Sequence, residues 1–305
     1  MRIVRNIGIL FLIFVFVTAS LCACNKADVF KTERLHVVCT VYPVYELTRE
    51  VCGDKAEIML LAKPGVEPHE WEPGSDDMLM LEQADLLIAC GAGMEPWLDP
   101  CLKAIDNKDL KVCYASENVD LIKSGDGHGE GTDPHYWLSL KNAGIAAEEI
   151  RDCLCEADKD NSDAYKANAQ QLLSDISALE EEFTSKLSGH EGREIVVSHE
   201  AFTYLCRDLG LEQLAIDGMS EDSEPDAGTI AEIIDRIKKD DVKVIFYDPL
   251  ESSSASETIK SETGVELMEL HTFETVSNEE FEKNVTYCEI MRMNLDSLDA
   301  GFGKE

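Results

Sequence analysis

The chain has 305 residues, 44% of them hydrophobic, enough for one or two packed domains. Its 61 acidic residues against 27 basic ones leave a formal charge of −34. That balance excludes a nucleic-acid partner, which demands a basic face, and suits a well-solvated protein that tolerates or attracts cations.

The first residues bear on the compartment. Arg2 and Arg5 precede an apolar stretch, 7–17, broken only by Gly8, and Leu21-Cys22-Ala23-Cys24 follows. This is a secretory signal in form, too short for a comfortable membrane span. Its end resembles the bacterial lipobox, with a leucine three positions before a cysteine and a small residue just before it. By that resemblance residues 1–23 are removed, and Cys24 is diacylated and becomes the new N-terminus. The body is then tethered to the extracellular face of the cell membrane. Ordinary signal cleavage and an uncleaved anchor are the alternatives. No later stretch is long and apolar enough to span a bilayer.

Residues 24–34 read as a polar tether. Strands are expected at 35–41, 56–62, 85–91 and 111–115, with helices at 44–51 and 76–84. Apolar strands alternating with helices predict a parallel sheet covered on both faces. From 140 to about 187 the chain is rich in Ala, Glu, Lys and Leu. The run 164–187 holds no Gly or Pro, and Leu172, Leu173, Ile176, Leu179 and Phe183 recur at helical spacing, so it reads as one long helix. Strands then resume at 194–197, 213–216, 242–247 and 265–270, with helices at 201–209, 229–239 and 253–263. The plan is α/β: an N-terminal lobe over 35–158, a linking long helix over 159–190 and a C-terminal lobe over 191–305. The halves share a rhythm without a clear sequence repeat. A ligand in such a plan belongs in the cleft between lobes, at the carboxyl ends of strands.

Eleven cysteines in an exported chain suggest disulfides. Setting aside Cys22 and Cys24 leaves an odd number, so at least one stays free or pairs between chains. Cys39 and Cys90 sit in strand-like runs and read as small core residues. Cys153-x-Cys155 lacks the spacing of zinc ribbons or thioredoxins, and no cysteine metal site is expected.

Seven histidines are present, and four lie in loops beside strand or helix ends: His69, His135, His199 and His271. Prolines and a glycine stiffen the His69 loop, Pro64-Gly65-Val66-Glu67-Pro68-His69-Glu70-Trp71-Glu72-Pro73. His135 lies in Asp133-Pro134-His135-Tyr136-Trp137-Leu138, and His199 where a strand gives way to a helix. Each alone is more often a structural or surface histidine than a ligand. Three in matching positions of a two-lobed plan point instead to one ion clamped between lobes. Imidazole suits Zn²⁺, a closed site wants four tetrahedral ligands, and stiff loops lower the entropy lost on binding. Histidine must be neutral to bind, so affinity should fall below about pH 6.5. His36 in a strand and His190 in a polar turn receive no role.

Enzyme motifs are absent. His69-Glu70 and His199-Glu200 begin like the zincin His-Glu-x-x-His, but the final position holds Pro73 or Thr203. There is no nucleophile elbow and no Walker loop. A zinc hydrolase using Glu70 or Glu200 as base is the least favoured alternative, and a surface adhesin with incidental metal is another.

The chain resembles the zinc- and manganese-specific solute-binding proteins of bacterial ABC transporters, which include the streptococcal-type zinc lipoproteins. The resemblance runs across the mature chain. It is carried by Val41-Tyr42-Pro43, Pro68-His69-Glu70-Trp71-Glu72-Pro73, Asp133-Pro134-His135-Tyr136-Trp137-Leu138 and Ser198-His199-Glu200-Ala201-Phe202-x-Tyr204, with the lipobox and the long helix. It implies a monomer that captures a divalent metal and presents it to a permease, with a rigid helix between the lobes. It implies His69, His135 and His199 as ligands. The fourth belongs on the loop Leu270-His271-Thr272-Phe273-Glu274, where register with zinc relatives favours Glu274 and His271 is the rival. Three imidazoles and one carboxylate suit Zn²⁺, with Mn²⁺ or Fe²⁺ as runners-up, since manganese prefers more carboxylate. Many zinc members carry a long His-rich loop before the second ligand. Here that loop, around His128, is short and reads as a linker.

Overall fold

The computed structural model describes residues 28–123, 131–218, 225–251 and 254–304. The signal, Cys24 and His128 lie outside the described residues. The chain divides into a short unit, Met1–Lys31, and a main body, Thr32–Glu305, which holds all the elements below.

The first half builds one parallel sheet. Strands β1 (Leu35–Cys39), β2 (Ala56–Leu60), β3 (Leu86–Ala89) and β4 (Lys111–Tyr114) pair in the order β2-β1-β3-β4. Val37 on the central strand faces Ile58 on one side and Leu86 on the other. The central strands are continuous apolar runs because helices cover both faces, and Val37, Val38 and Cys39 are wholly buried. Helix α1 (Tyr42–Cys52) begins with Pro43 in its first turn, where a missing N–H costs nothing, and stops at Gly53 with φ 55°. Helices α2 (Ser75–Gln83) and α3 (Leu98–Ala104) complete the half.

The second half repeats the pattern. Strands β5 (Glu194–Val197), β6 (Glu212–Ala215), β7 (Val244–Tyr247) and β8 (Glu266–Glu269) pair in the order β6-β5-β7-β8, all parallel. Helices α6 (Thr203–Leu209), α7 (Ala227–Asp240) and α8 (Ser254–Thr263) connect them. Ile233 and Ile237 of α7 and Ile259 of α8 cover one face of this sheet with Val196 and Ile245.

Two helices lie between the sheets in sequence: α4 (Leu140–Ala157) and α5 (Ser162–Leu187), packed along each other. The long helix expected over 164–187 is α5, and the chain between α4 and α5 turns at Asp158, whose side chain accepts from Asn161 Nδ2 at 2.6 Å and Tyr165 Oη at 2.9 Å. Helix α5 has 26 residues, about 39 Å at 1.5 Å per residue. Its stripe Tyr165, Ala169, Leu172, Ile176, Leu179, Phe183 and Leu187 is buried. It packs against α1 and α4 from the first half and against α6 and α10 from the second.

Two C-terminal helices were not expected from sequence: α9 (Asn278–Lys283) and α10 (Tyr287–Phe302). Both begin with capping boxes, from Ser277 with Glu280 and Thr286 with Glu289. A Cβ on Gly301 would stand 2.5 Å from the Phe246 ring, so only glycine lets α10 lie this close to β7. One apolar core runs from the first sheet through α1, α4, α5 and α10 to the second. Among the described residues no helix is long and apolar enough to cross a membrane.

Candidate metal centre

Each candidate ligand lies beyond the carboxyl end of a strand: His69 after β2, His135 after β4, His199 after β5 and Glu274 after β8. Folding brings these four together, with one donor atom from each lying within 4.8 Å of the others. His69 Nε2 stands 3.2 Å from His135 Nε2. Glu274 Oε1 stands 2.8 Å from His135 Nε2 and 3.1 Å from His199 Nε2, and Oε2 lies 3.7 Å from His69 Nε2. A tetrahedron of ligands about 2.0–2.1 Å from Zn²⁺ has edges of about 3.3–3.4 Å. The observed separations bracket that value, so the donor set fits a tetrahedral ion in size as well as chemistry.

His135, His199 and Glu274 are buried, while the His69 side chain keeps 14% of its surface exposed. His69 therefore marks the side open to solvent. Burying four polar groups is costly unless they are paired. Here they hold one another, and further groups orient them. Asp133 Oδ1 accepts from the His135 backbone N–H at 2.9 Å and lies 2.8 Å from its Nδ1. With Nδ1–H donating to Asp133, Nε2 is the ring atom aimed at the other ligand atoms. Burial pulls His135 down, but the Glu274 charge and the hydrogen bonds its ring donates to Asp133 and Glu274 prevail and raise it to about 9. For Glu274 burial acts upward, yet the facing His199 and His135 hold it well below the usual carboxylate range.

The Glu274 loop is tied down at several points. Buried Asp248 accepts from Thr272 N at 2.6 Å, Thr272 Oγ1 at 2.9 Å and Leu250 N at 2.7 Å. Trp137 Nε1 donates to Thr272 O at 2.9 Å, and Gly65 N donates to Thr275 Oγ1 at 2.8 Å. Phe273, with φ 61°, occupies a region that bulky residues avoid. Its ring is buried edge-on against Tyr42 and Tyr287. Such strain persists only where the surroundings over-determine it.

His271 lies outside the group of four. It is buried, with Nδ1 3.6 Å from Asp248 and Nε2 3.6 Å from Glu280. Glu70 is exposed, Glu200 is half-buried, and neither joins the four. His36 Nε2 meets Thr32 O, and His190 stacks on Phe302. Asp133 was within reach of sequence reasoning, standing two residues before His135 in the same motif. Asp248 was not, since only folding brings it to Thr272.

The match with known proteins is extensive. The family model described as zinc-uptake complex component A, periplasmic (ZnuA), matches residues 37–301. The high-affinity zinc uptake system protein ZnuA of Bacillus subtilis (strain 168) is 34% identical over 279 residues, covering 88% of each chain. The zinc-binding lipoprotein AdcA of Streptococcus pneumoniae is 33% identical over 276 residues, and the match spans only 55% of its length. The crystal structure of the Zn(II)-bound ZnuA-like domain of Streptococcus pneumoniae AdcA superposes with a TM-score of 0.78 at 33% identity, covering 88% of this chain and 98% of that one.

Proposed function

We infer the role of this chain from its family: it belongs to the family of the zinc-uptake complex component A, ZnuA, and it captures Zn²⁺ for delivery to an ABC permease. That is a family of binding components, not of enzymes. The ion is cargo, held by His69, His135, His199 and Glu274. The observation that carries this reading is the convergence of three imidazole nitrogens and one carboxylate at tetrahedral spacing.

The donor set favours Zn²⁺ over Mn²⁺, which prefers more carboxylate oxygens. His69, the partly exposed ligand, receives the ion first and closes over it. The buried three supply a dry, prearranged cradle, which cuts the ordering cost of binding. In this reading the chain acts as a monomer, tethered outside the cytoplasm through a diacylated Cys24. The zinc-binding lipoprotein name of its streptococcal relative supports the anchor.

Calorimetric titration of the purified chain with Zn²⁺ should give one tight site, and His69→Ala or His199→Ala should lose most of its affinity. Unchanged titrations in both variants would overturn the assignment. Replacing Cys24 with Ala should move the protein from the membrane fraction to the medium. Retention at the membrane would count against the lipid anchor.

A further inference from the structure

A second group of ligand-type side chains lies away from the first. Cys113 on β4 and Glu149 and Cys153 on α4 bring two cysteine sulfurs and a carboxylate oxygen within 4.8 Å of one another. Glu149 and Cys153 are four apart on the helix, so they share a face. That face meets Cys113 across a Cα–Cα separation of 6.2 Å, and the two cysteines are joined as a disulfide. Glu149 Oε1 lies 3.8 Å from Cys153 Sγ, while Oε2 accepts from Asn118 Nδ2 at 2.5 Å. The carboxylate is thus held beside the sulfurs by a partner of its own.

We propose that Cys113, Cys153 and Glu149 form a redox-gated second cation site, closed as the disulfide and open to Zn²⁺ when the two thiols are reduced. Reduction by a dithiol breaks the S–S bond. Two electrons and two protons pass to the sulfurs, and the reductant leaves as its own disulfide. The cation then displaces both thiol protons and binds two thiolates and the Glu149 carboxylate. Zn–S bonds of about 2.3 Å at a tetrahedral angle set the sulfurs about 3.8 Å apart, so the two side chains rotate away from each other once the S–S bond is broken. Three protein ligands leave one position open, whereas the histidine centre offers four. The reduced protein therefore carries an extra and more exchangeable ion.

Among the described residues the free thiols do not join this group. Cys39, Cys52, Cys90 and Cys206 are buried in the apolar core, Cys155 turns its sulfur to the Ser162 carbonyl at 3.6 Å, and the partly exposed Cys101 and Cys288 belong to no cluster of ligand-type side chains. Burial drives the Cys39 and Cys206 thiols up to about 12, away from the thiolate that metals require.

The test uses the full chain loaded with one equivalent of Zn²⁺, in oxidised form and after anaerobic phosphine reduction, each titrated with Co²⁺. The reduced form should take up one further equivalent and develop a thiolate-to-cobalt charge-transfer band, and the oxidised form should show neither. In the reduced state, Cys113→Ser or Cys153→Ser should abolish the band. Glu149→Gln, which leaves both sulfurs in place, should weaken cobalt binding at least about tenfold. A reduced chain without the band, or a band that persists in both serine variants, would overturn the proposal.

Discussion

The Nδ1 atom of His135 lies 2.8 Å from Asp133 Oδ1, and both side chains are buried. The carboxylate fixes the ring in one tautomer and one orientation, leaving Nε2 free to face Glu274 and His69. Partners of this kind typically tune metal affinity by 10–100-fold. Asp133→Asn keeps the shape but presents either a weaker acceptor or a competing donor to Nδ1. Zinc affinity measured by competition with a chromophoric chelator should fall by about that factor, with the stoichiometry unchanged. An affinity equal to that of the parent chain would remove Asp133 from the site.

Proton release follows from the same ring. Without metal, His135 is raised to about 9, despite burial, by Glu274 and Asp133. It is therefore protonated at neutral pH, and an ion that needs the neutral ring must displace that proton. Zinc binding at pH 7.5 should release about one proton on this account, and affinity should climb with pH until about 9, not level off near the pH 6.5 expected of an unperturbed imidazole, because Glu274 and Asp133 hold the proton on His135. Titration calorimetry in buffers of different ionisation enthalpy reads this directly. The observed enthalpy should vary linearly with the buffer, and a flat plot would contradict the protonated state.

Glu274 and His271 stand three residues apart, yet the fold sends them to different places. Glu274 meets three imidazoles, while His271 is held through its backbone by Asn294, with N···Oδ1 at 2.7 Å and Nδ2···O at 2.8 Å. Glu274→Ala should therefore reduce zinc affinity by at least about 100-fold, more than the loss of an outer partner would. His271→Ala should leave binding within a few fold, while lowering stability by about 1–3 kcal/mol through the cavity left by a buried ring. Equal losses of affinity in the two variants would reopen the question of the fourth ligand.

Much of this was legible in the chain itself. The parallel strands announced themselves as apolar runs, although each end fell within a few residues of the expected one, because ladder pairing stops where neighbouring strands stop. The histidines stood out because stiff loops followed strands in both halves. Helix α10 escaped notice because its face Ile290, Met291, Leu295 and Leu298 continues a C-terminal stretch without a strong stop or start beyond Thr286. The Cys113–Cys153 pair was invisible, since the spacing of 40 residues carries no motif and only the packing of α4 on β4 joins them. The phase of Glu274 could be taken from relatives. It could not be derived from the acidic loop alone, because the positive φ of Phe273 that helps turn it inward is a tertiary effect.

The pair Glu46 and Glu50 on α1 gives a stability effect separate from the metal. Glu46 is wholly buried and bound by Arg49 through two hydrogen bonds, of 2.7 and 2.5 Å. Glu50 lies one turn further along the same face. Burial first, then the Glu46 charge and a hydrogen bond with Glu46, raise it to about 7, with Asp175 of α5 adding to the effect and Arg49 opposing it. Its folded value lies above the unfolded one. Its contribution to stability is therefore complete below about pH 4.5 and is lost as pH rises through about 7. Glu50→Gln mimics the protonated acid at every pH. In chelator-treated protein, the variant and the parent should melt together near pH 5. The variant should then become the more stable of the two above pH 7, by about 1–3 kcal/mol. Parallel melting curves from pH 5 to 8.5 would show that Glu50 stays ionised throughout.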